Sequence, residues 1–329
     1  MLELNIERVV GVIKEEGYEL VAIQLPEGLK DKATAVVDEI KARTGIEVFI
    51  FGDPCYGACD LADIEAKALD CDALFHFGHT GILKKTAVPV HYIDVKISFD
   101  PIPLLAKNLK RLPGKLGIIT TVQHISLLDE ITSFLEEQGI GVGIGEAGGR
   151  AAHRGQVLGC SFTSAKKIAD TVEGYLYIGT GDFHPLGVAL STGKKTLALD
   201  LERGELRDMD TAKERTLRRR FALIERSKDA VEFGIIIGEK TGQKRTSLAM
   251  KLKKIIEGQG KKAYPIILGE INPDVLVPFR RLDAFVNTAC PRITIDDAGR
   301  YKKPLLTPVE LEIVLGMRRW EDYEMDEIP

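Results

Sequence analysis

Three cysteines carry the chemistry that this sequence can be asked about. Cys160 closes the stretch Gly155-Gln156-Val157-Leu158-Gly159-Cys160. Cys59 lies in Asp53-Pro54-Cys55-Tyr56-Gly57-Ala58-Cys59-Asp60, and Cys290 in Asn287-Thr288-Ala289-Cys290-Pro291-Arg292. A thiol in such a loop is either a small apolar side chain or, as thiolate, a metal ligand. The chain has no Cys-x-x-Cys pair, so a shared metal centre would have to draw on remote positions. Three thiolates could hold three irons of a cubane cluster and leave the fourth open, and an open coordination position is the mark of a catalytic site. Cys55 precedes Cys59 by four residues, so one helical turn would put both on one face; Cys55 could replace Cys59 or sit behind it. Cys71, in Leu69-Asp70-Cys71-Asp72, reads as structural.

The elements that must position these thiols repeat along the chain. Short runs of Val, Ile and Phe alternate with helical patterns, the signature of parallel strands joined by helices. The first block has strands near 20–25, 47–51, 73–77 and 90–95, with helices over about 30–44 and 61–69, after an amphipathic helix within 1–18 (Leu4, Ile6, Val9, Val10, Ile13). The second has strands near 116–121, 141–144, 176–179 and 197–200, with helices over 127–138, 164–172 and 211–228. The third has strands near 233–238, 263–268, 284–287 and 305–307 and a helix over 246–258. The same four-strand unit thus appears three times. The expected fold is α/β: three small domains, residues 1–113, 114–230 and 231–329, each a four-stranded parallel sheet with flanking helices, set in pseudo-threefold fashion around a central site. Ligands of parallel α/β units gather beyond the carboxyl ends of the strands, and each domain has one of the three cysteines in such a position.

Composition limits the remaining classes. The 329 residues are 44% hydrophobic and 29% charged with a net charge of −4. That balance speaks against direct nucleic-acid binding. No apolar run is long enough to span a bilayer. Five widely spaced cysteines without an apolar leader fit a reducing cytoplasm better than a disulfide framework. The loop Gly238-Glu239-Lys240-Thr241-Gly242-Gln243-Lys244 departs from Gly-x4-Gly-Lys-Ser/Thr, so it is not a nucleotide-phosphate loop. His76 and His79, in Phe75-His76-Phe77-Gly78-His79, could suggest a metal pair, but their spacing of three spans a strand end rather than a helix, which favours a strand-end or supporting role. Arg218, Arg219 and Arg220 read as a solvated helix face that could guide an acidic partner, and the acidic tail 321–329 reads as loose.

Five strings together resemble the archaeal diphthamide synthases, the 2-(3-amino-3-carboxypropyl)histidine synthases: Leu25-Pro26-Glu27-Gly28-Leu29, the Cys59 segment, the Cys160 segment, Gly179-Thr180-Gly181-Asp182-Phe183-His184-Pro185, and Thr288-Ala289-Cys290-Pro291-Arg292. The resemblance runs from about residue 25 to 292. It implies a homodimer of three-domain subunits with a [4Fe-4S] cluster held by Cys59, Cys160 and Cys290, Cys55 being left out. It also implies a transferase that needs an electron donor. S-adenosyl-L-methionine, bound at the open iron, would lose its 3-amino-3-carboxypropyl group as a radical to C2 of a histidine in translation elongation factor 2. Such an enzyme departs from ordinary radical enzymes of this cosubstrate, because the chain has no Cys-x-x-x-Cys-x-x-Cys loop. A quinolinate-synthase-like enzyme and a non-catalytic electron-delivery subunit are the competing readings.

Contacts to the cosubstrate follow as expectations. Pro26, Glu27 and Gly28 follow the first strand, where Glu27 could equally begin a helix. Gly181, Asp182, His184 and Pro185 follow the third strand of the second block. The glycine there allows close backbone approach, and Asp182 and His184 offer an acceptor and a donor, or else a capped turn. Gly242 and Gln243 would face the same centre. Arg292 could grip a carboxylate as a fork or form a surface ion pair.

Overall fold

The computed structural model describes residues 2–97 and 99–329. The chain forms two compact units, one of residues up to 100 with 122–127, the other of 101–121 with 128–329.

In the first unit, β1 (Leu2–Glu3), β2 (Leu20–Gln24), β3 (Glu47–Ile50), β4 (Ala73–Phe77), β5 (Val90–Ile93) and β6 (Lys96–Ile97) follow one another. The central four form a parallel sheet in the order β3-β2-β4-β5, and β1 pairs antiparallel with β6. All five residues of β4 are buried, as a strand covered on both faces requires. The amphipathic helix starts at Ile6 rather than nearer the first residue and buries Val9, Val10 and Ile13. Gly17 ends it with φ 69°, donating its N–H to the Ile13 carbonyl. The expected 30–44 helix is a 3-10 segment, Glu27–Lys32, continued by an α-helix, Ala33–Thr44.

The second unit holds two sheets. One is built from β7 (Lys115–Thr120), β8 (Gly141–Gly143), β9 (Gly174–Ile178), β10 (Lys195–Asp200) and β11 (Glu205–Asp208), in the order β11-β10-β9-β7-β8. The other uses β12 (Glu232–Gly238), β13 (Lys262–Leu268), β14 (Ala284–Asn287) and β15 (Leu305–Leu306), in the order β13-β12-β14-β15. The three expected sheets are present, the first and third four-stranded and parallel and the second with one strand more. The addition is β11, antiparallel to β10, with Leu206 as its one buried residue. An edge strand needs only one apolar anchor, so Glu205-Leu206-Arg207-Asp208 gives no strand signal. Counted within each sheet, the order is second, first, third, fourth in all three. The chain reverses direction of growth between the first and third strands each time, and that is the switch point where parallel sheets hold ligands.

Two expectations about polar segments fail. The helix Asp210–Ser227 exposes Arg218 and Arg219 but buries Arg220, which shares a face with Ile224 and Ser227. Arg220 donates from Nε to Glu310 (2.6 Å) and from its terminal nitrogens to the carbonyls of Thr294 (3.0 Å) and Leu305 (2.7 Å). A carboxylate brought by a later helix, Pro308–Val314, turns a surface residue type into a core one. The acidic tail is not loose either: Met325 and Ile328 are 3% and 4% exposed. The 164–172 helix is likewise shorter than expected, a turn over Thr163–Lys166 and a 3-10 turn over Ala169–Thr171.

Candidate active site

In the first unit, two strand ends and one loop are tied together. Pro26, in extended conformation, leads out of β2 and accepts from the Leu29 N–H at 2.9 Å. Glu27 pairs with Lys30, and Lys30 Nζ also donates to the carbonyls of Gly52 and Asp53, both at 2.8 Å. The Pro26–Gly28 turn is thereby fastened to the entrance of the Cys59 loop. That loop is a turn and not the helical turn expected for Cys55 and Cys59. The Asp60 N–H closes it on the Gly57 carbonyl at 2.9 Å, and the Tyr56 N–H reaches the Asp60 carboxylate at 3.3 Å. Gln24, the last residue of β2, holds the loop from below: its Nε2 donates to the Asp60 carbonyl at 2.9 Å, and its Oε1 accepts from the Ala62 N–H at 3.3 Å.

The same Gln24 Oε1 stands 2.9 Å from Nδ1 of His76, the neighbour across from it on β4. His76 Nε2 is 2.9 Å from Nδ1 of His79. Burial lowers both rings, His76 to about 3 and His79 to about 4, with the His79 neighbour adding to the first effect and a bonded Phe77 carbonyl opposing the second. Both are neutral at pH 7. The strand-end placement matches the sequence reading. Cys71 belongs to an apolar cluster with Ala22, Ala66, Leu74 and Val88, where burial raises its thiol. It is a core side chain.

In the second unit, a ladder of backbone bonds presents Cys160. The Thr120 N–H donates to Gly155 and the Val157 N–H to Thr120, both at 2.9 Å, while Leu158 and Ser161 exchange bonds at 3.0 and 3.1 Å. Gly159 and Cys160 form the tip between them. A side chain on Gly159 would put its Cβ 2.8 Å from the Phe183 ring, so only glycine lets the tip lie against Phe183. Phe183 and His184 begin the helix Phe183–Thr192 that follows β9, with Asp182 just before it. Arg207, from β11, pairs with Asp182 and also donates to the Asp200 carboxylate at 3.0 Å. The His184 ring stacks on Tyr177 at 6.1 Å, and desolvation, helped by the positive charge of Arg292, brings it down to about 4.

Arg292 lies over the Phe183 ring at 5.4 Å and bonds the Asp296 carboxylate at 2.9 Å. It lies two residues beyond Cys290, which caps the helix Pro291–Asp296 directly after β14. Asn287 shapes that loop, donating to the Cys290 carbonyl and accepting from the Ala289 N–H at 2.9 and 2.8 Å. Phe183 thus touches both Gly159 and Arg292, the neighbours of Cys160 and Cys290. Gly242 and the buried Gln243 form the 3-10 turn Thr241–Gln243 after β12, held by Arg150, which donates to the Gly242 carbonyl at 2.6 Å.

The tail supplies a second bridge. Ile328 N–H donates to the Cys160 carbonyl at 2.8 Å, and the Glu327 carboxylate accepts from the Phe162 N–H at 2.7 Å. Arg245 donates to the carbonyls of Thr288 (2.5 Å), Ala289 (3.2 Å) and Glu327 (3.2 Å) and binds the Asp326 carboxylate at 2.5 and 3.0 Å. The Cys290 loop is therefore stitched to the tail, and the tail to the Cys160 loop. Sequence reasoning missed Gln24, Arg245 and Asp326; Arg245, just before the third block's first helix, gave no signal other than its charge. Every expected contact residue lies beyond a first or third strand: Pro26, Glu27 and Gly28 after β2, Gly181 to Pro185 after β9, Gly242 and Gln243 after β12, Arg292 after β14. Cys59 and Cys160 follow the second strands, β3 and β8.

All five cysteines are thiols rather than disulfides. Three of them on strand-end loops, with carbonyls and N–H groups already paired around them, are a donor set suited to an iron–sulfur group.

Comparison with known proteins agrees with this arrangement. The family model described as "Putative diphthamide synthesis protein" matches residues 25–325. The chain is 40% identical to a 2-(3-amino-3-carboxypropyl)histidine synthase of Pyrococcus horikoshii, over 99% of this chain and 94% of that one. It is 29% identical to subunit 1 of the synthase of the same name from Schizosaccharomyces pombe, over 98% of this chain and 76% of the other. Among solved structures, the crystal structure of Dph2 from Pyrococcus horikoshii with 4Fe-4S cluster superposes with a TM-score of 0.92 at 39% identity, over 100% of this chain and 95% of that one. The chain belongs to the diphthamide synthesis protein family.

Proposed function

We propose that this protein is a 2-(3-amino-3-carboxypropyl)histidine synthase in which Cys59, Cys160 and Cys290 ligate one [4Fe-4S] cluster. Three α/β domains, residues 1–113, 114–230 and 231–329, each contribute one thiolate. The observation that carries the reading is the repeated switch point: three sheets of one strand order send their cysteine loops and their polar turns out from the carboxyl ends of the strands. When bound, the cluster supplies one electron to the sulfonium of S-adenosyl-L-methionine, opening the bond from sulfur to the γ-carbon. The 3-amino-3-carboxypropyl radical would add to imidazole C2 of a histidine in elongation factor 2, and the ring would regain aromaticity by losing a proton to solvent and an electron back to the oxidised cluster.

The chain's own residues orient and exclude water. Pro26, Glu27 and Gly28 line one side of the cosubstrate with backbone groups. Gly181 opens close approach on another, its φ of 76° being a conformation glycine adopts without strain. His184, neutral at pH 7, is a hydrogen-bond partner and not a competing cation, and Asp182, Pro185, Gly242 and Gln243 complete the wall. Arg292 holds the carboxylate. An external donor brings the cluster to its reduced state before turnover, and the cytoplasm is the working compartment. Two copies of the chain form the working homodimer.

Anaerobic protein with a chemical reductant, S-adenosyl-L-methionine and elongation factor 2 tests the proposal. It should give 5′-methylthioadenosine and a modified histidine. Formation of 5′-deoxyadenosine, or no cleavage at all as a quinolinate-synthase-like enzyme or an electron-delivery subunit would show, refutes it.

A further inference from the structure

We propose that Cys55, His76 and His79 form a second metal site, separate from the three cluster cysteines, suited to a borderline divalent cation such as Zn²⁺. One sulfur and two ring nitrogens from these residues all lie within 4.8 Å of one another. They come from a loop and from a strand end that Gln24 fastens together, so the grouping is built into the sheet and does not depend on flexible side chains.

The hydrogen bonds around Gln24 decide which nitrogen of His76 is available. The Ala62 N–H can only donate, so the atom it meets is the amide oxygen; the Asp60 carbonyl can only accept, so it meets the amide nitrogen. The oxygen facing His76 Nδ1 therefore accepts, and Nδ1 must carry the proton. Nε2 of the neutral ring then presents its lone pair towards His79. A ring nitrogen held by a carbonyl oxygen while the other points at a cavity is the arrangement found behind metal-bound histidines. Zinc ligated by nitrogen at ~2.0–2.1 Å and sulfur at ~2.3 Å needs its nitrogens ~3.3 Å apart in a tetrahedron. The 2.9 Å between His76 Nε2 and His79 Nδ1 opens to that by a few tenths of an ångström. On binding, the proton that His79 Nδ1 shares with His76 Nε2 would move to His79 Nε2, so the two neutral rings would release none, and the Cys55 thiol would release its one.

Tyr92 is the aromatic neighbour of His76. Its ring stands edge-on to His76 at 5.6 Å, yet its hydroxyl is buried with no hydrogen-bond partner among the described residues.

The test uses the full chain with its cluster loaded, given one equivalent of Zn²⁺ anaerobically, desalted, and measured for zinc content and zinc-edge X-ray absorption. The expected result is about one zinc per chain with a shell of one sulfur and two nitrogens at the distances above. Cys55→Ser and His76→Gln should each weaken zinc retention at least tenfold, whereas Cys71→Ser should leave it unchanged. A shell of three sulfurs, a shell without sulfur, or retention equal in all four proteins overturns the proposal. The wild-type shell decides by itself if a variant fails to fold, and none of these readouts depends on transferase activity.

Discussion

Replacing Asp326 by Ala should loosen the tail from both cysteine loops of the second unit at once. In the native state the Arg245 side chain is 10% exposed and that of Asp326 6%, so the pair is nearly dry. Stranding one member of a buried pair costs about 3–5 kcal/mol. Arg245 keeps three carbonyl acceptors in the variant, those of Thr288, Ala289 and Glu327, so the cost should fall to about 2–3 kcal/mol. Most of it should appear as local opening, because the tail is a chain end that belongs to no sheet and can detach without breaking a strand ladder. At tenfold per 1.4 kcal/mol this is roughly a 30- to 150-fold rise in the open population. Hydrogen exchange reads it directly at two amides that the tail protects, Ile328 on the Cys160 carbonyl and Phe162 on the Glu327 carboxylate. Both should exchange about 30-fold faster or more. Asp322→Ala is the control: it removes a carboxylate paired with Arg319 at the surface, where solvent screening leaves little to lose. Exchange at Ile328 and Phe162 unchanged in Asp326→Ala would refute the clamp.

Three other outcomes are expected. Arg220→Ala should destabilise by about 3–5 kcal/mol in urea unfolding, leaving Glu310 buried and unpaired, whereas Arg218→Ala, at a side chain 80% exposed, should stay within about 0.5 kcal/mol. His76, His79 and His184 have folded values near 3, 4 and 4, below the 6.5 of the open chain. The unfolded state therefore binds protons first, so their contribution is whole above pH 6.5 and is lost as pH falls towards 4. Metal-free protein should lose about 1 kcal/mol per histidine between pH 7 and 5.5, measured as a shift in urea midpoint, and a flat profile would contradict the burial of these rings. Cys59→Ala, Cys160→Ala and Cys290→Ala should each abolish or cripple the brown absorbance of anaerobically reconstituted protein while Cys71→Ala retains it; equal colour in all four would remove the cluster assignment.

The sequence by itself determined the strand–helix rhythm, and with it the three sheets and the loops that carry Cys59, Cys160 and Cys290. That information is local: a buried parallel strand must be apolar throughout, and a loop at its end must turn. The expected bounds of β14, 284–287, coincide with the observed strand because Ala284-Phe285-Val286-Asn287 has both signals within four residues. What only the tertiary structure decided is which polar residues leave water. Arg218 and Arg220 are of one type on one helix, yet Glu310, 90 residues later, buries the second. The tail reads as solvent-loving until Arg245, 81 residues before Asp326, gives it a partner. His76 and Cys55 are unremarkable singly, and Gln24 from a third segment brings them side by side. A charge or a ring nitrogen is buried only where its partner is fixed, and no pattern of neighbours along the chain announces a partner that arrives from another element.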